Sequence, residues 1–598
     1  MSQTTIRKQY KRRRPELEAV EGDDASTPLL ARIYAARNVA SSAQLQYRLE
    51  QLEAPDSLKG LGEAMELLYQ GLREQWRIVI VADFDADGAT SCALMLQALT
   101  AFGFARVSYL VPDRFRFGYG LSPEIVEVAA ALNPDMIITV DNGIASVEGV
   151  ARASELGIKV LVTDHHLPGE VLPDAAAIIN PNQPGDQFPD KHLAGVGVAF
   201  YLMMAFRSYL RSRDWFTQLG IPGPNLARWL DLVALGTVAD LAQLDYNNRI
   251  LVAQGLARIR AGQACAGIRA MLEVANRAAD NVTAADLGFI IGPRLNAAGR
   301  LEDMSIGIQC LLATDDHDAR QRAQALEQLN QQRRELQNDM QQQAMDIVDE
   351  IINNEARFPY AITLHHEDWH QGIVGLIASR LKERCNRPAI AFACDDQGML
   401  KGSARSIPGL NIRDALDAVA TRYPGLLQKF GGHAMAAGLS IEQDKLEDFG
   451  RRFAEEVERT IDPKRLQDVL WTDGCLQDDE LDLQTALELR NGGPWGQGFP
   501  EPVFDGVFRI IEQRIVGERH LKLVLHTAGN KAVDAIAFNV TEAGQWTPLS
   551  HIEAAYRLDV NEYRGRKSLQ LIIEDFRPAP EDINHIKEGN PGHAVQTR

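Results

Sequence analysis

Between residues 77 and 180 the hydrophobic positions fall into continuous runs: RIVIVADFD, PDMIITVDNG, KVLVTDHH and AAIINP. Runs of this kind mark strands buried on both faces. The stretches between them, GATSCALMLQALTAFG and SPEIVEVAAALN, have helical character, so the alternation predicts an α/β domain with a parallel sheet covered by helices on both sides. Three of the strands end in carboxylates or histidines. In open α/β sheets ligands sit beyond the carboxyl ends of the strands, so these endings are expected to converge in one crevice.

Further along, residues 196–315 are mainly helical in pattern, and WLDLVALGTVAD ends at Asp240. A glutamine-rich amphipathic stretch follows, with Leu326, Leu329, Leu336, Met340, Ile347 and Ile351 mostly at three-, four- or near-seven-residue spacing. It predicts one long helix bridging two lobes, with an ordinary surface helix as the alternative. A second α/β unit is expected from about 359 to 460, on strands YAITLHH and PAIAFACD and the glycine-rich GGHAMAAG. After about 465 the pattern becomes β-rich with turn signals, which points to a small barrel or sandwich. The tail beyond Pro578 has the composition of a disordered segment. A chain of 598 residues is too long for one core, at about 100–200 residues per domain. The boundaries read as an N-terminal arm and helical segment (1–60), the parallel-sheet domain (61–315), the connecting helix (316–358), the second α/β domain (359–460), the β-rich domain (465–578) and the tail (579–598).

Composition narrows the class. With 45% hydrophobic and 24% charged residues the chain is globular. No run of about 18 apolar residues exists, and the basic N-terminus lacks an apolar signal core, so a soluble, cytoplasmic protein without a membrane span is expected. The cysteines, Cys92, Cys265, Cys310, Cys385, Cys394 and Cys475, are scattered without C-x-x-C pairs, as reduced structural thiols are. A net charge of −19 argues against bulk attraction of nucleic acid but leaves room for a local basic channel. The KRRR run at 11–14 is expected as a solvated arm, with a DNA contact as the alternative.

The candidate chemistry lies in the strand endings. VADFDADG places Asp83, Asp85 and Asp87 at alternate positions. An EF-hand loop would need Glu at its twelfth position, where this chain has Leu94, and a helix where this chain has a strand. Three aspartates this close repel one another unless a cation neutralises them. TVDNG adds Asp141, TDHH adds Asp164, His165 and His166, and GTVAD adds Asp240. Hard oxygen ligands with imidazole and no thiolate suit Mn²⁺ or Mg²⁺. Two such ions about 3.5–4 Å apart can activate a water and stabilise a leaving oxygen in phosphoryl transfer. Taken alone, this chemistry reaches metal-dependent hydrolysis of a phosphate ester. A second metal motif, His-Glu-Asp-Trp-His at 366–370, has the H-E-x-x-H spacing of zinc proteases, but that motif works on a helix. Here it follows a strand, so a loop using Trp369 and His370 for packing or contact is expected.

DFDADG, VDNG, TDHH and TVAD, in this order and spacing, resemble the DHH phosphoesterase superfamily, and GGHAMAAG resembles its associated DHHA1 domain. PDRFRFGYGLSPE, AGVGVAFYLM, GPRLNAAGRL, WHQGIVGLIASRLKER, KGSARSIPGLNIRDAL and GPWGQGFPEPVFDG look like the bacterial single-strand-specific DNA exonucleases of that superfamily. The likeness runs from about 25 to 578.

The resemblance implies a 5′-to-3′ exonuclease that hydrolyses single-stranded DNA to mononucleotides in recombination and repair. It implies a DHH domain, a DHHA1 domain and a β-rich OB-fold, and two Mn²⁺ or Mg²⁺ ions. Metal ligation carries over to Asp85, Asp87, Asp141, His165 and Asp240, with Asp141 as the bridge and Asp83 as a further ligand. His166 would touch the scissile phosphate, and Asp164 would orient the histidine pair. Arg114, Arg294, Arg300, Ser403, Arg405 and His433 resemble positions that hold DNA phosphates, for which arginine's bidentate fork is suited. Salt bridges between lobes are the alternative for the arginines. Phe115, Phe117 or Tyr119 could stack on bases, with core packing as the alternative. The family implies single-strand DNA-binding protein as a partner, and a monomer is expected. Two other readings remain: a non-catalytic scaffold, and the same chemistry on a small nucleotide.

Overall fold

The computed structural model describes residues 8–14, 27–113, 117, 119–354, 358–517, 519–540, 546–563 and 565–579. The tail expected to be disordered therefore lies almost wholly outside the described residues. Two compact units are present. One is built from Tyr47–Gln467 with Gly496–Phe499, and the other from Arg7–Gln46, Asp468–Trp495 and the chain from Pro500 onward. Strand β1 (Gln9–Arg12) opens the described chain.

The first unit holds two sheets. Strands β2 (Ile78–Ala82), β3 (Val107–Leu110), β4 (Met136–Val140), β5 (Lys159–Thr163) and β6 (Ala177–Ile179) form a wholly parallel sheet in the order β3-β2-β4-β5-β6. The continuous apolar runs are explained by cover on both faces. Val79, Val81, Ile137, Val160 and Val162 pack against Ile125, Val126 and Val150 of helices Pro123–Ala130 and Val147–Glu155. Helices Ala86–Phe102 and Gly195–Ser212 pack on the sheet as well and against helix Leu230–Ala239. Burying each such aliphatic side chain contributes about 1.5–3 kcal/mol, which fixes the strand ends firmly.

The predicted long helix is present as Asp316–Asn354, 39 residues. Its buried spine differs from the one expected. Leu326 and Met340 are buried, but Leu336 is exposed, and the spine runs through Ala319, Ala323, Asn330, Gln337, Ala344 and Val348. Arg333 donates to both Asn330 Oδ1 and Gln337 Oε1 at 2.6 Å, so polar residues sit where a count of apolar positions looks for leucine. The C-terminal half packs through Met340, Ala344 and Val348 against the second sheet. That sheet contains β7 (Ile362–His365), β8 (Ala389–Cys394), β9 (Met399–Arg405), β10 (Lys429–Gly432) and β11 (Ala436–Glu442), in the order β10-β11-β9-β8-β7. Only the β7–β8 pair is parallel. The H-E-x-x-H residues lie in the turn after β7, as expected: Trp369 is buried and donates its indole N–H to Gln343 at 2.9 Å.

In the second unit, β1 pairs in parallel with β12 (Val469–Thr472). The basic run expected as a solvated arm is thus partly a strand, and acidic neighbours hold two of its three arginines. Arg12 lies 2.7 Å from Asp505, and Arg13 lies 3.0 Å from Asp473, which also takes two bonds from buried Arg37. Strands β13 (Phe504–Val516), β14 (His520–His526), β15 (Ala532–Ala537), β16 (His551–Tyr563) and β17 (Arg566–Pro578) close into a barrel in the order β13-β14-β15-β17-β16. The β15–β17 contact is parallel, as in an OB-fold. Among the described residues, no helix is long and apolar enough to cross a membrane.

Candidate metal centre

All the strand endings singled out in the sequence lie at the same edge of the parallel sheet. Asp83 follows β2, and Asp85 caps helix Ala86–Phe102, its Oδ1 accepting the N–H groups of Asp87 (2.9 Å) and Gly88 (3.0 Å). Asp141 follows β4 in a left-handed conformation, φ 62°. Asp164, His165 and His166 follow β5, and Asp240 caps the C-terminus of helix Leu230–Ala239. Three overlapping groups, Asp83–Asp85–Asp141, Asp87–His165–Asp240 and Asp141–His165–His166, each bring ligand atoms within 4.8 Å of one another.

Two atoms in the middle of the cluster face each other without a hydrogen bond. Asp141 Oδ1 and His165 Nε2 are buried and 3.1 Å apart, yet neither has a hydrogen-bond partner. Buried polar groups are nearly always paired, so two opposed orphans of this chemistry fit a shared cation. The surroundings agree. Burial and then Asp240 push the Asp87 carboxyl up to about 7, and burial with Asp85 does the same to Asp240. Burial and then Asp87 drive Asp141 well above the ordinary carboxylate range. Burial, followed by the nearby His166 charge, lowers His165, which keeps its imidazole neutral as a metal ligand requires.

The two histidines divide in role. Burial alone would lower His166, but the hydrogen bond and charge of Asp164 outweigh it and raise it to about 9. Its Nδ1 donates to Asp164 Oδ1 at 2.7 Å. Asp164 also accepts the backbone N–H groups of His165, His166 and Ile144, so its oxygens serve positioning. The result is an imidazolium beside the carboxylate cluster, suited to an anionic ligand.

Close backbone approach makes the site possible. A Cβ on Gly195 would lie 2.6 Å from Asp141 Cβ, and one on Gly236 would lie 2.7 Å from Asp87 Oδ1. Gly195 and Val196 donate their N–H groups to the two Asp87 oxygens at 2.6 and 3.0 Å, so a helix N-terminus holds that carboxylate.

The proposed DNA-contacting residues spread further. His433, in the β10–β11 hairpin of the second sheet, stacks on His166 with ring centres 5.4 Å apart. Arg294 is buried, with Nη2 2.6 Å from Glu327 of the long helix and Nη1 donating to Ile290 O. Arg300 donates to Gly372 O at 3.0 Å, tying its helix to the turn after β7. Ser403 and Arg405 share β9 and bond to each other at 2.9 Å. Arg114 and Phe115 lie outside the described residues. Phe117 is half-buried, and Tyr119 donates to Asp141 O at 3.1 Å, with its hydroxyl 3.2 Å from His166 Nδ1.

Sequence reasoning missed the asparagines. Asn180 and Asn182 donate to the carbonyls of His166 (2.9 Å) and His165 (2.6 Å), and Asn296 accepts the Ala86 N–H at 2.8 Å. The INPN string after the AAI strand was the signal for the first two.

Comparison with known proteins agrees with this architecture. Residues 77–237 match the DHH family N-terminal domain, 357–459 the DHHA1 domain and 472–575 the RecJ OB domain. The chain is 54% identical over 570 residues to the single-stranded-DNA-specific exonuclease RecJ of Dickeya dadantii (strain 3937), spanning 95% of this chain and 99% of that one. It is 51% identical over 577 residues to RecJ of Escherichia coli (strain K12), spanning 96% and 100%. The crystal structure of RecJ in complex with Mn²⁺ from Thermus thermophilus is similar, with a TM-score of 0.75 and 31% identity over 92% of this chain and 76% of that chain.

Proposed function

Since the chain belongs to the RecJ family of single-stranded-DNA-specific exonucleases, we propose that it degrades single-stranded DNA from the 5′ end to mononucleotides, in recombination and repair, with two Mn²⁺ or Mg²⁺ ions. The observation that carries the metal requirement is the orphaned pair Asp141 Oδ1 and His165 Nε2, 3.1 Å apart inside a buried carboxylate cluster. Asp83, Asp85, Asp87, Asp141, His165 and Asp240 would hold the ions. When bound, the ions supply Lewis acidity that activates a water and offsets phosphate charge.

The chain's own residues do the rest. His166, held charged by Asp164, donates a hydrogen bond to the scissile phosphate and places its negative charge against the cluster. His433 packs on His166 from the DHHA1 side and limits how its ring can turn. Arg114, Arg294, Arg300, Ser403 and Arg405 hold the strand's phosphates in this reading, and the OB-fold adds affinity for unpaired bases. Single-strand DNA-binding protein is the proposed partner, and the chain acts as a monomer.

Digestion of 5′- and 3′-labelled single strands and duplexes, with Mn²⁺, Mg²⁺ or chelator, tests this. The expected result is release of labelled mononucleotide at once from the 5′-labelled single strand, late from the 3′-labelled one, and none with chelator. Immediate release from the 3′ label, or activity in chelator, would overturn it.

A further inference from the structure

Helix Gly195–Ser212 carries Asp87's backbone donors at one end; near its other end it carries Arg207 and Arg211. Arg207 and Arg211 are four residues apart on one helix face, where like charges repel. Among the described residues neither guanidinium has a hydrogen bond or a carboxylate within ion-pair distance, and Arg207 Nε is buried without a partner. Burial and then the Arg211 charge depress the Arg207 pKa, as expected for a cation held without its anion. Both line a cavity of about 450 Å³ whose wall includes Phe216, Thr217 and Ile221. Asp214 also lines it, without pairing to either arginine.

We propose that Arg207 and Arg211 form a binding site for a phosphate-type dianion, either free phosphate or the phosphate of a mononucleotide. Two guanidinium forks on one helix face offer paired donors to the several oxygens of a phosphate, which a single carboxylate with two oxygens matches less fully. The volume lies within the range of small-ligand pockets. A DNA strand fits less well, because the neighbouring Arg213 is taken up by Glu66 and stacks on Tyr209 and so does not extend the two arginines into a longer row of free cations. Anion binding at this cavity does not depend on the chemistry at the metal centre.

Equilibrium dialysis of the full chain in chelator, with labelled inorganic phosphate and separately with dAMP, tests it. The expected result is one saturable equivalent per wild-type chain and at least tenfold weaker binding in both Arg211→Gln and Arg207→Gln. Single-strand hydrolysis with Mn²⁺ should stay unchanged in Arg211→Gln, whose side chain is exposed. Tighter dAMP than phosphate would identify a mononucleotide as the ligand, and equal affinity would identify free phosphate. Equal binding by wild type and Arg211→Gln, or no saturable equivalent, would overturn the proposal, as would an acidic peptide that binds while phosphate does not.

Discussion

Asp164 Oδ1 accepts the Nδ1 proton of His166 at 2.7 Å while the same carboxylate caps three backbone N–H groups. One buried residue thus sets both the loop that carries His165 and His166 and the charge of the second imidazole. Asp164→Asn should therefore lower kcat by roughly 10–100-fold while leaving Mn²⁺ uptake near normal. The pH profile is the sharper readout. His166 is charged below its pKa of about 9, and its contribution is lost as pH rises through that value. Without the carboxylate, that loss should move to lower pH. An unshifted alkaline limb in a variant that melts cooperatively would contradict the role given to Asp164.

Gly195 lies against Asp141. In Gly195→Ala the new methyl carbon would stand 2.6 Å from Asp141 Cβ, and the opposing group is the buried carboxylate proposed to hold metal. Mn²⁺ affinity should fall by at least about tenfold while far-UV circular dichroism stays that of the wild type. Unchanged affinity by calorimetric titration would mean that the ligand position tolerates displacement.

The metal should also act as a pH-dependent stabiliser. Asp87 and Asp240 titrate near 7 when folded, against about 4 when unfolded. A raised carboxyl binds more protons folded than unfolded, so the metal-free protein loses stability as pH rises from about 4 to about 7. A cation replaces those protons. The rise in Tm on adding Mn²⁺ should be larger at about pH 8 than at about pH 5.5, where protons compete. Equal rises at both would count against the cluster as the binding site.

Arg294 separates two roles that the sequence left open. Its pairing with Glu327 at 2.6 Å, inside the first unit, makes Glu327→Gln leave a buried guanidinium uncompensated, at a cost of roughly 3 kcal/mol by denaturant titration. If Arg294 also holds DNA phosphate, the same variant should keep kcat and change KM by only a few-fold. A stability change near zero would show that Glu327 is no structural partner.

Much of this was legible from the chain. Buried parallel strands leave long apolar runs, and three of the four runs here end in carboxylates or histidines, so the convergence of Asp85, Asp141 and His165 was expected from the topology of an open α/β sheet. The residues that hold them were harder to read, with the INPN string as the signal for two of them. Asn180, Asn182 and Asn296 act through backbone carbonyls and an N–H, and such bonds leave no periodicity. Gly195 matters because of a neighbour from another strand. The long helix buries Asn330 and Gln337, which a hydrophobic count passes over, and Arg12 and Arg13 look solvated until Asp505 and Asp473 are brought beside them.

In the proposed function Asp141 and His165 face a shared metal needed for hydrolysis. Mn²⁺ uptake by the full chain, followed by electron paramagnetic resonance of the free ion, measures it directly in wild type and Asp141→Ala. The expected result is two ions per wild-type chain, loss of uptake in the variant and a matching collapse of single-strand hydrolysis; full uptake with near-normal hydrolysis in Asp141→Ala would contradict a shared metal at this pair.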